Sequence, residues 1–338
     1  MTDNLLPDFL RALLQPGIYD HPVHEVELIQ THISWVILAG DYVYKFKKPV
    51  DFGFLDFSDL AKRHRCCEQE LLLNRRLCPD IYLALIRVTI DAAAHFSLNG
   101  KGEVVEYGVQ MKRMPEDRMM VHLIRDGQLT ADHIEALATV LADFYQRAEH
   151  GEDIAGFGTA SAVGVNVAEN FEQTASFIGK GALSQEQYDS IVRYSHSFLA
   201  NEALFQRRID DGYIRDCHGD LYSANICLAD KVYIYDCIEF NQRFRYSDIA
   251  SDVAFLVMDL EFYGLDELAR LFVDRFVQKT GDKGLIGMLN FYKCYRAYVR
   301  GKINVFTAAD PAVDPATRSL CNRNAATYFR LAQRYAEG

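Results

Sequence analysis

The chain has 338 residues, 49% hydrophobic and 25% charged, with a formal net charge of −11. That length leaves room for two lobes, each with its own core, and the mixture is that of an ordinary globular chain rather than a disordered one. The acidic balance argues against a dedicated nucleic-acid surface, because such surfaces gain most of their affinity by neutralising phosphates with Lys and Arg.

The opening segment, Met1 to Leu10, has no basic leader ahead of an apolar run. No later window approaches the ~18 uninterrupted apolar residues of a membrane span, so a cytoplasmic protein with no membrane partner is expected. A short helix is predicted over Asp8–Leu14, stopped by Pro16-Gly17. Strands follow at Val26–Ile29, Ile33–Leu38 and Tyr42–Lys48, the last two joined by a Gly40-Asp41 turn and the last closed by Pro49. Alternation in the third strand puts Val43, Lys45 and Lys47 on one face and Tyr44 and Phe46 on the other. The pattern turns helical over Asp59–Leu77, closed by Pro79, and returns to strand over Ile81–Ile90, Phe96–Leu98 and Val104–Met111.

Beyond Pro115 the period is largely helical: Met119–Arg125, Thr130–Arg147, Val165–Ile178, Ser184–Arg208, Tyr246–Tyr263, Leu265–Thr280, Leu285–Phe306 and Pro315–Tyr335. The Gly151–Gly164 stretch, rich in Gly, Ala and Ser, reads as the longest loop. Strands, one helix, strands and then helices give an α+β chain with a boundary near residues 112–116. The eight cysteines are scattered and read as reduced, mostly buried thiols. Cys66-Cys67 are adjacent and no second pair stands at zinc spacing, which argues against a structural metal site. Lys45, Lys47 and Lys48 form a local basic cluster. Arg207-Arg208 and Arg243/Arg245 form others, for which solvated surface is the favoured reading.

The segment richest in chemistry is His218-Gly219-Asp220-Leu221-Tyr222-Ser223-Ala224-Asn225, followed eleven residues after its Asn by Asp236 in Tyr235-Asp236-Cys237-Ile238-Glu239. Asp-x4-Asn puts a base that can accept a hydroxyl proton and an amide oxygen that can hold Mg2+ on one short loop. The later Asp supplies a carboxylate for the same metal. Between Asn225 and Asp236, two short apolar runs flank Ala229-Asp230-Lys231, which predicts a hairpin.

At these residues the sequence resembles the aminoglycoside phosphotransferase and choline-kinase-like branch of the protein-kinase-like superfamily, in particular a bacterial group of such enzymes often fused to a P-loop domain. The resemblance implies a bilobal protein-kinase-like fold: a β-rich N-lobe with one main helix over residues 1–112, binding nucleotide, and a largely helical C-lobe over 113–338, carrying the catalytic loop and the acceptor site. It implies that Asp220, after His218, is the catalytic base, that Asn225 and Asp236 bind Mg2+, and that Asp248, twelve residues after Asp236, steadies the loop from a helix. Lys45 stands where the family carries its phosphate-binding cation, with Lys47 as the alternative. Glu70 is its expected carboxylate partner, with Glu68 as the alternative; two helix positions apart, the two glutamates cannot face the same way. The backbone from Met111 through Arg113 to Met114 would meet the adenine edge, with Met111 and Met114 either on the purine or simply in the core. Glu239 would reach a second Mg2+ or its waters.

The chain also departs from the family pattern. No glycine-rich loop joins the first strands, and Tyr222 stands where relatives often carry His or Lys, which leaves open how charge on the transferred phosphoryl group is balanced. The aromatic segment Pro49–Phe57 looks like a signature of the resembling group and is expected to pack against the helix of Glu70. No Gly-x4-Gly-Lys-Ser/Thr occurs, so the chain is expected to lack the fused P-loop domain and to act alone or with a separate protein partner. The expected activity is ATP- and Mg2+-dependent transfer to a hydroxyl of a small molecule. Asp259, Glu261, Asp266 and Glu267 would favour a cationic acceptor such as an aminoglycoside or amino sugar, or are plain solvated surface. A regulatory, pseudokinase-like nucleotide-binding module is the alternative of a different class. Protein-kinase activity is disfavoured, since only twelve residues separate Asp236 from Asp248.

Overall fold

The computed structural model describes residues 6–338, so the reading of residues 1–5 as free of a leader lies outside them. The chain forms two compact units, residues 6–119 with Cys227–Gln242, and Met120–Ile226 with Arg243–Gly338.

In the first unit, helix α1 (Asp8–Leu13) precedes strands β1 (Val26–Gln30), β2 (Ser34–Ala39) and β3 (Tyr42–Lys47), helix α2 (Leu60–Asn74), and strands β4 (Tyr82–Ile90), β5 (Phe96–Leu98) and β6 (Glu103–Lys112). The strands form one six-stranded antiparallel sheet in the order β1-β2-β3-β6-β4-β5. The period-two reading of β3 is found in the packing. Tyr44 and Phe46 join Trp35 and Ile37 under Phe9, Leu10 and Leu13 of α1. Val43 instead packs with Met111 and with Cys67 of α2 on the other face. Full burial of a side chain such as Phe46 contributes about 2 kcal/mol. Gly108 lies opposite Phe46 in the β3–β6 register, where a Cβ would stand 2.6 Å from the ring, so this close approach requires glycine.

Helix α2 starts at an N-cap, Asp59, whose carboxylate accepts from the Lys62 N–H at 2.8 Å. The Pro49–Phe57 segment packs on this helix through Phe57, which is fully buried and whose carbonyl accepts from Arg63 Nη1 at 3.0 Å. Phe52 and Phe54 of the same segment stay 48% and 42% exposed.

The chain continues through α3 (Met120–Arg125), α4 (Ala131–Arg147), α5 (Glu152–Ala155), α6 (Ala160–Thr174), α7 (Gln185–Leu199) and α8 (Glu202–Asp210) to strand β7 (Ile214–Asp216). The expected hairpin is β8 (Ile226–Leu228) with β9 (Val232–Ile234); its Cys227 and Tyr233 join the cluster around Met111. After α9 (Gln242–Arg245) and strand β10 (Tyr246–Asp248) come α10 (Ile249–Phe262), α11 (Asp266–Thr280), α12 (Leu285–Ala309) and α13 (Pro315–Glu337). The α+β class read from the sequence is the class found. No helix among the described residues is long and apolar enough to cross a membrane. All eight cysteines are free thiols.

Three expectations for the second unit are corrected. The helix expected over Ser184–Arg208 is two helices, broken at Ala200-Asn201, where Asn201 leaves the helical region and becomes the N-cap residue of α8. Tyr246–Asp248 is not the first turn of a helix but a strand paired with β7, and its ladder ends where Asp248 takes the extended backbone of an N-cap. The Gly151–Gly164 stretch carries α5 and the start of α6, capped by Thr159, whose hydroxyl accepts from the Ala162 N–H at 3.2 Å.

Candidate active site

In the first unit, β3 and α2 bring together five charged groups. Glu70, fully buried, places one carboxylate oxygen 2.8 Å from Lys45 Nζ and the other 2.5 Å from Lys47 Nζ. Lys45 also reaches the Asp236 carboxylate at 2.5 Å, and Lys47 pairs with Glu239. Two lysines of the three-lysine basic cluster, Lys45 and Lys47, therefore point inward, onto one carboxylate. Glu68 lies away from them, beside His64 at 3.5 Å. Glu239 is 4% exposed and engaged by Lys47, whereas Asp236 keeps 43% of its side chain exposed.

Burial alone would lower the Lys45 ammonium, but Asp236, Glu70 and Glu239 outweigh it and hold it well above the ordinary lysine value. Burial would likewise raise the Glu70 carboxyl, yet Lys45 and Lys47 hold it below the ordinary carboxylate value. For Glu239 burial wins over Lys47, and its carboxyl is pushed up.

Asp236 has a left-handed backbone, φ +62°, unusual for a residue with a side chain. Its N–H donates to the Tyr82 hydroxyl at 3.3 Å, and the next N–H, of Cys237, donates to Asn74 Oδ1 at 2.9 Å. Both anchors come from elements of the same sheet-and-helix unit, so the carboxylate is aimed from a fixed backbone. Of the expected adenine-edge residues, Met111 is 9% exposed in the apolar cluster, Met114 packs at its margin, and the Arg113 N–H donates to the Asp41 carbonyl at 2.8 Å.

In the second unit the loop after β7 carries the remaining residues. His218 is fully buried, and its Nδ1 accepts from the Asp220 N–H at 3.3 Å. Asn225 donates through Nδ2 to the carbonyl and to Oδ2 of Asp220, each at 2.9 Å. The loop is held from below by Asp252, which accepts from the His218 N–H at 2.7 Å, the Gly219 N–H at 3.0 Å and the Tyr145 hydroxyl at 3.0 Å. Arg296 of α12 completes this support, donating to the Gly219 carbonyl at 2.9 Å and standing 3.5 Å from Asp252.

The loop-steadying role expected of Asp248 therefore falls to Asp252, one helical turn further on. Asp248 is occupied as the N-cap of α10, bonding the Ala250 N–H, and as the partner of Arg208, which it meets at 2.7 and 2.8 Å. Burial pushes the Asp248 carboxyl up although Arg208 opposes it. Of the four acids offered as a cationic-acceptor surface or plain solvated surface, Asp266 and Glu267 are exposed, and Asp259 and Glu261 are corrected. Asp259 is 1% exposed and accepts from the Ser223 N–H at 2.9 Å, and Glu261 is bound by Lys293 at 3.0 Å and Arg334 at 3.3 Å.

With this geometry in hand, comparison with known proteins identifies the fold. Aminoglycoside 2'-phosphotransferase-IIIa, solved as a GDP complex, superposes with a TM-score of 0.58 over 96% of this chain and 99% of its own, at 13% identity. An amicoumacin kinase in complex with AMP-PNP and Ca2+ gives 0.54 over 98% and 96%, at 12% identity. An ethanolamine kinase of Plasmodium vivax gives 0.53 over 90% and 81%, at 14% identity. The chain has the aminoglycoside phosphotransferase and choline-kinase-like fold. No family model matches the sequence. Uncharacterized proteins of Mycobacterium tuberculosis and Mycobacterium bovis are 33% identical over 288 residues, 84% of this chain and 56% of theirs. The chain thus spans about half the length of the curated relatives it matches.

Whether these residues suit a divalent cation can be judged from their charge and donor atoms. Two lysines face three carboxylates in the first unit, leaving one net negative charge, with Asp236 the most exposed acid of the group. Carboxylate and amide oxygens are the hard donors Mg2+ takes, usually one or two from the protein with the rest from water and phosphate. Among the described residues no group of three or more His, Cys, Asp or Glu could hold a metal ion. The donors present suit the hard-oxygen preference of Mg2+.

Proposed function

We propose that this protein is an ATP- and Mg2+-dependent phosphotransferase acting on a hydroxyl group of a small molecule. The observation that carries the reading is the pairing of Asp220 with Asn225 on a loop whose backbone is fixed by Asp252. It gives a carboxylate with one oxygen positioned by an amide, on a loop whose backbone is anchored from α10. The fold it shares with small-molecule kinases supports the same conclusion.

In this reading residues 1–112 form the nucleotide lobe and 113–338 the catalytic and acceptor lobe. Lys45, oriented by Glu70, binds the α- and β-phosphates, and the backbone of Met111–Arg113 receives the adenine. Asn225 and Asp236 are the metal ligands, and the metal supplies charge neutralisation on the phosphates. Glu239 acts through Lys47, fixing the second oxygen of Glu70 so that Lys45 alone is left to the nucleotide. Asp220 orients the acceptor hydroxyl and takes its proton as the new O–P bond forms. The bond from the γ-phosphorus to the bridging oxygen breaks, and the electron pair leaves with ADP. The free thiols and the absence of long apolar helices among the described residues are compatible with a cytoplasmic site of action.

The test is ADP release with Mg-ATP across sugars, amino alcohols, nucleosides and aminoglycosides, with Asp220→Asn as the blank. Transfer should vanish in that variant while nucleotide affinity stays near that of the parent. A signal equal to the blank for every acceptor would move the assignment to a nucleotide-binding regulatory module.

A further inference from the structure

Helix α12 carries two arginines one turn apart, Arg296 and Arg300, on the side that supports the Asp220 loop. Each lies over one ring of a stacked pair. Arg296 lies 4.9 Å over the Phe255 ring, Phe255 stacks on Tyr222 with centroids 5.3 Å apart, and Arg300 lies 4.6 Å over the Tyr222 ring. The Tyr328 ring also lies 5.8 Å from Arg300, and its hydroxyl is a neutral side-chain hydrogen-bond partner of the guanidinium.

The two arginines differ in their partners. Arg296 has Asp252, and the other well-buried arginines of this unit also have acids: Arg208 has Asp248 and Asp282, and Arg245 has Asp216. Among the described residues no carboxylate stands at ion-pair distance from Arg300, and its Nε is buried without a hydrogen bond. A guanidinium taken partly out of water without a counter-ion is costly, and that cost is recovered if an anion binds there. Asp220 and Asp259 act on Arg300 only from beyond contact.

Resting on the phosphotransferase reading above, we propose that Arg300 is the acceptor-recognition residue, and that the acceptor is a hydroxyl compound bearing an anionic group, a carboxylate or a phosphate. Tyr222 presents the loop side of this subsite, two residues from the base, so an acceptor held by Arg300 presents its hydroxyl to Asp220. The same arrangement explains the absence of a cation at position 222: the charge comes from α12 instead. It also disfavours polyamine acceptors, because the acids near the loop are already committed, Asp259 to Ser223 and Glu261 to Lys293 and Arg334. Arg300 is bound to the acceptor rather than to the reacting atoms, so it sets specificity.

The experiment compares matched skeletons that differ only in charge: gluconate, sorbitol and glucamine, then glycerate, glycerol and 3-aminopropane-1,2-diol, with glycerol 3-phosphate to separate phosphate from carboxylate. Wild-type kcat/KM should favour the anionic member by at least about tenfold, the value of one charge-assisted hydrogen bond. Arg300→Gln should bring the anionic-to-neutral ratio to about one, and Arg300→Lys should keep part of it. Preference for a neutral or amine member, or an unchanged ratio in Arg300→Gln, overturns the proposal. If no compound gives ADP above the Asp220→Asn blank, the phosphotransferase reading fails. Titration calorimetry of the same compounds then decides the subsite: anion binding lost in Arg300→Gln supports it, and equal binding of all members or none overturns it.

Discussion

Asn225 binds Asp220 twice, through one amide nitrogen shared between the backbone carbonyl and the carboxylate. The pair fixes the rotamer of Asp220, the proposed base, and leaves the Asn225 oxygen as its accepting atom. Replacement by leucine keeps the volume but removes both functions, and strands a buried acceptor. Asn225→Leu is expected to lose about 1–3 kcal/mol in urea unfolding and at least tenfold in turnover. An equal loss of kcat at all Mg2+ concentrations would assign Asn225 to positioning the base alone.

The two lysines on Glu70 should separate cleanly. Lys45→Met leaves Glu70 paired with Lys47 and half-exposed Asp236 reachable by water, so stability should fall less than in the Lys47 variant while transfer collapses and the KM for ATP rises. Lys47→Met leaves Glu239 buried without its cation, and breaking such a pair costs about 3–5 kcal/mol. Chemical unfolding beside nucleotide titration of both variants checks this, and a Lys45 variant as unstable as the Lys47 variant would contradict it.

The depressed carboxyl of Glu70 predicts an acid limb of stability. A folded value below the unfolded value of 4.5 means that the unfolded chain binds the proton more readily in the window between them. Its stabilisation is therefore complete above pH 4.5 and is lost as the pH falls through the folded value. Glu239, pushed up by burial, acts in the opposite sense above 4.5. Glu70→Gln should flatten the fall of the urea midpoint below pH 4.5, and an unchanged slope there would exclude Glu70 as its source.

Much of this was readable in the chain because short-range rules apply to it. Alternation in β3 put Lys45 and Lys47 together and Tyr44 and Phe46 opposite them, and the hairpin followed from two apolar runs around Ala229-Asp230-Lys231. The loop's real support was not readable in the same way. Asp252 and Asp259 are two acids seven apart in α10, a helix otherwise buried almost throughout, which is the available signal for carboxylates with backbone partners. Their partners, Arg296, Tyr145 and Ser223, lie up to 107 residues away, a pairing that local periodicity cannot supply. Asp248 drew attention by its spacing, but the position directly before a helix recruits a carboxylate for capping whatever else the site needs.

The left-handed backbone of Asp236 sets its conformational comfort against its charge. A glycine there would relax the main chain, and the remaining two lysines and two glutamates would balance to neutrality. The most tolerant fold is thus one without the acid, and with Asp236 as the proposed metal ligand a sturdier but inert protein lies a single codon away.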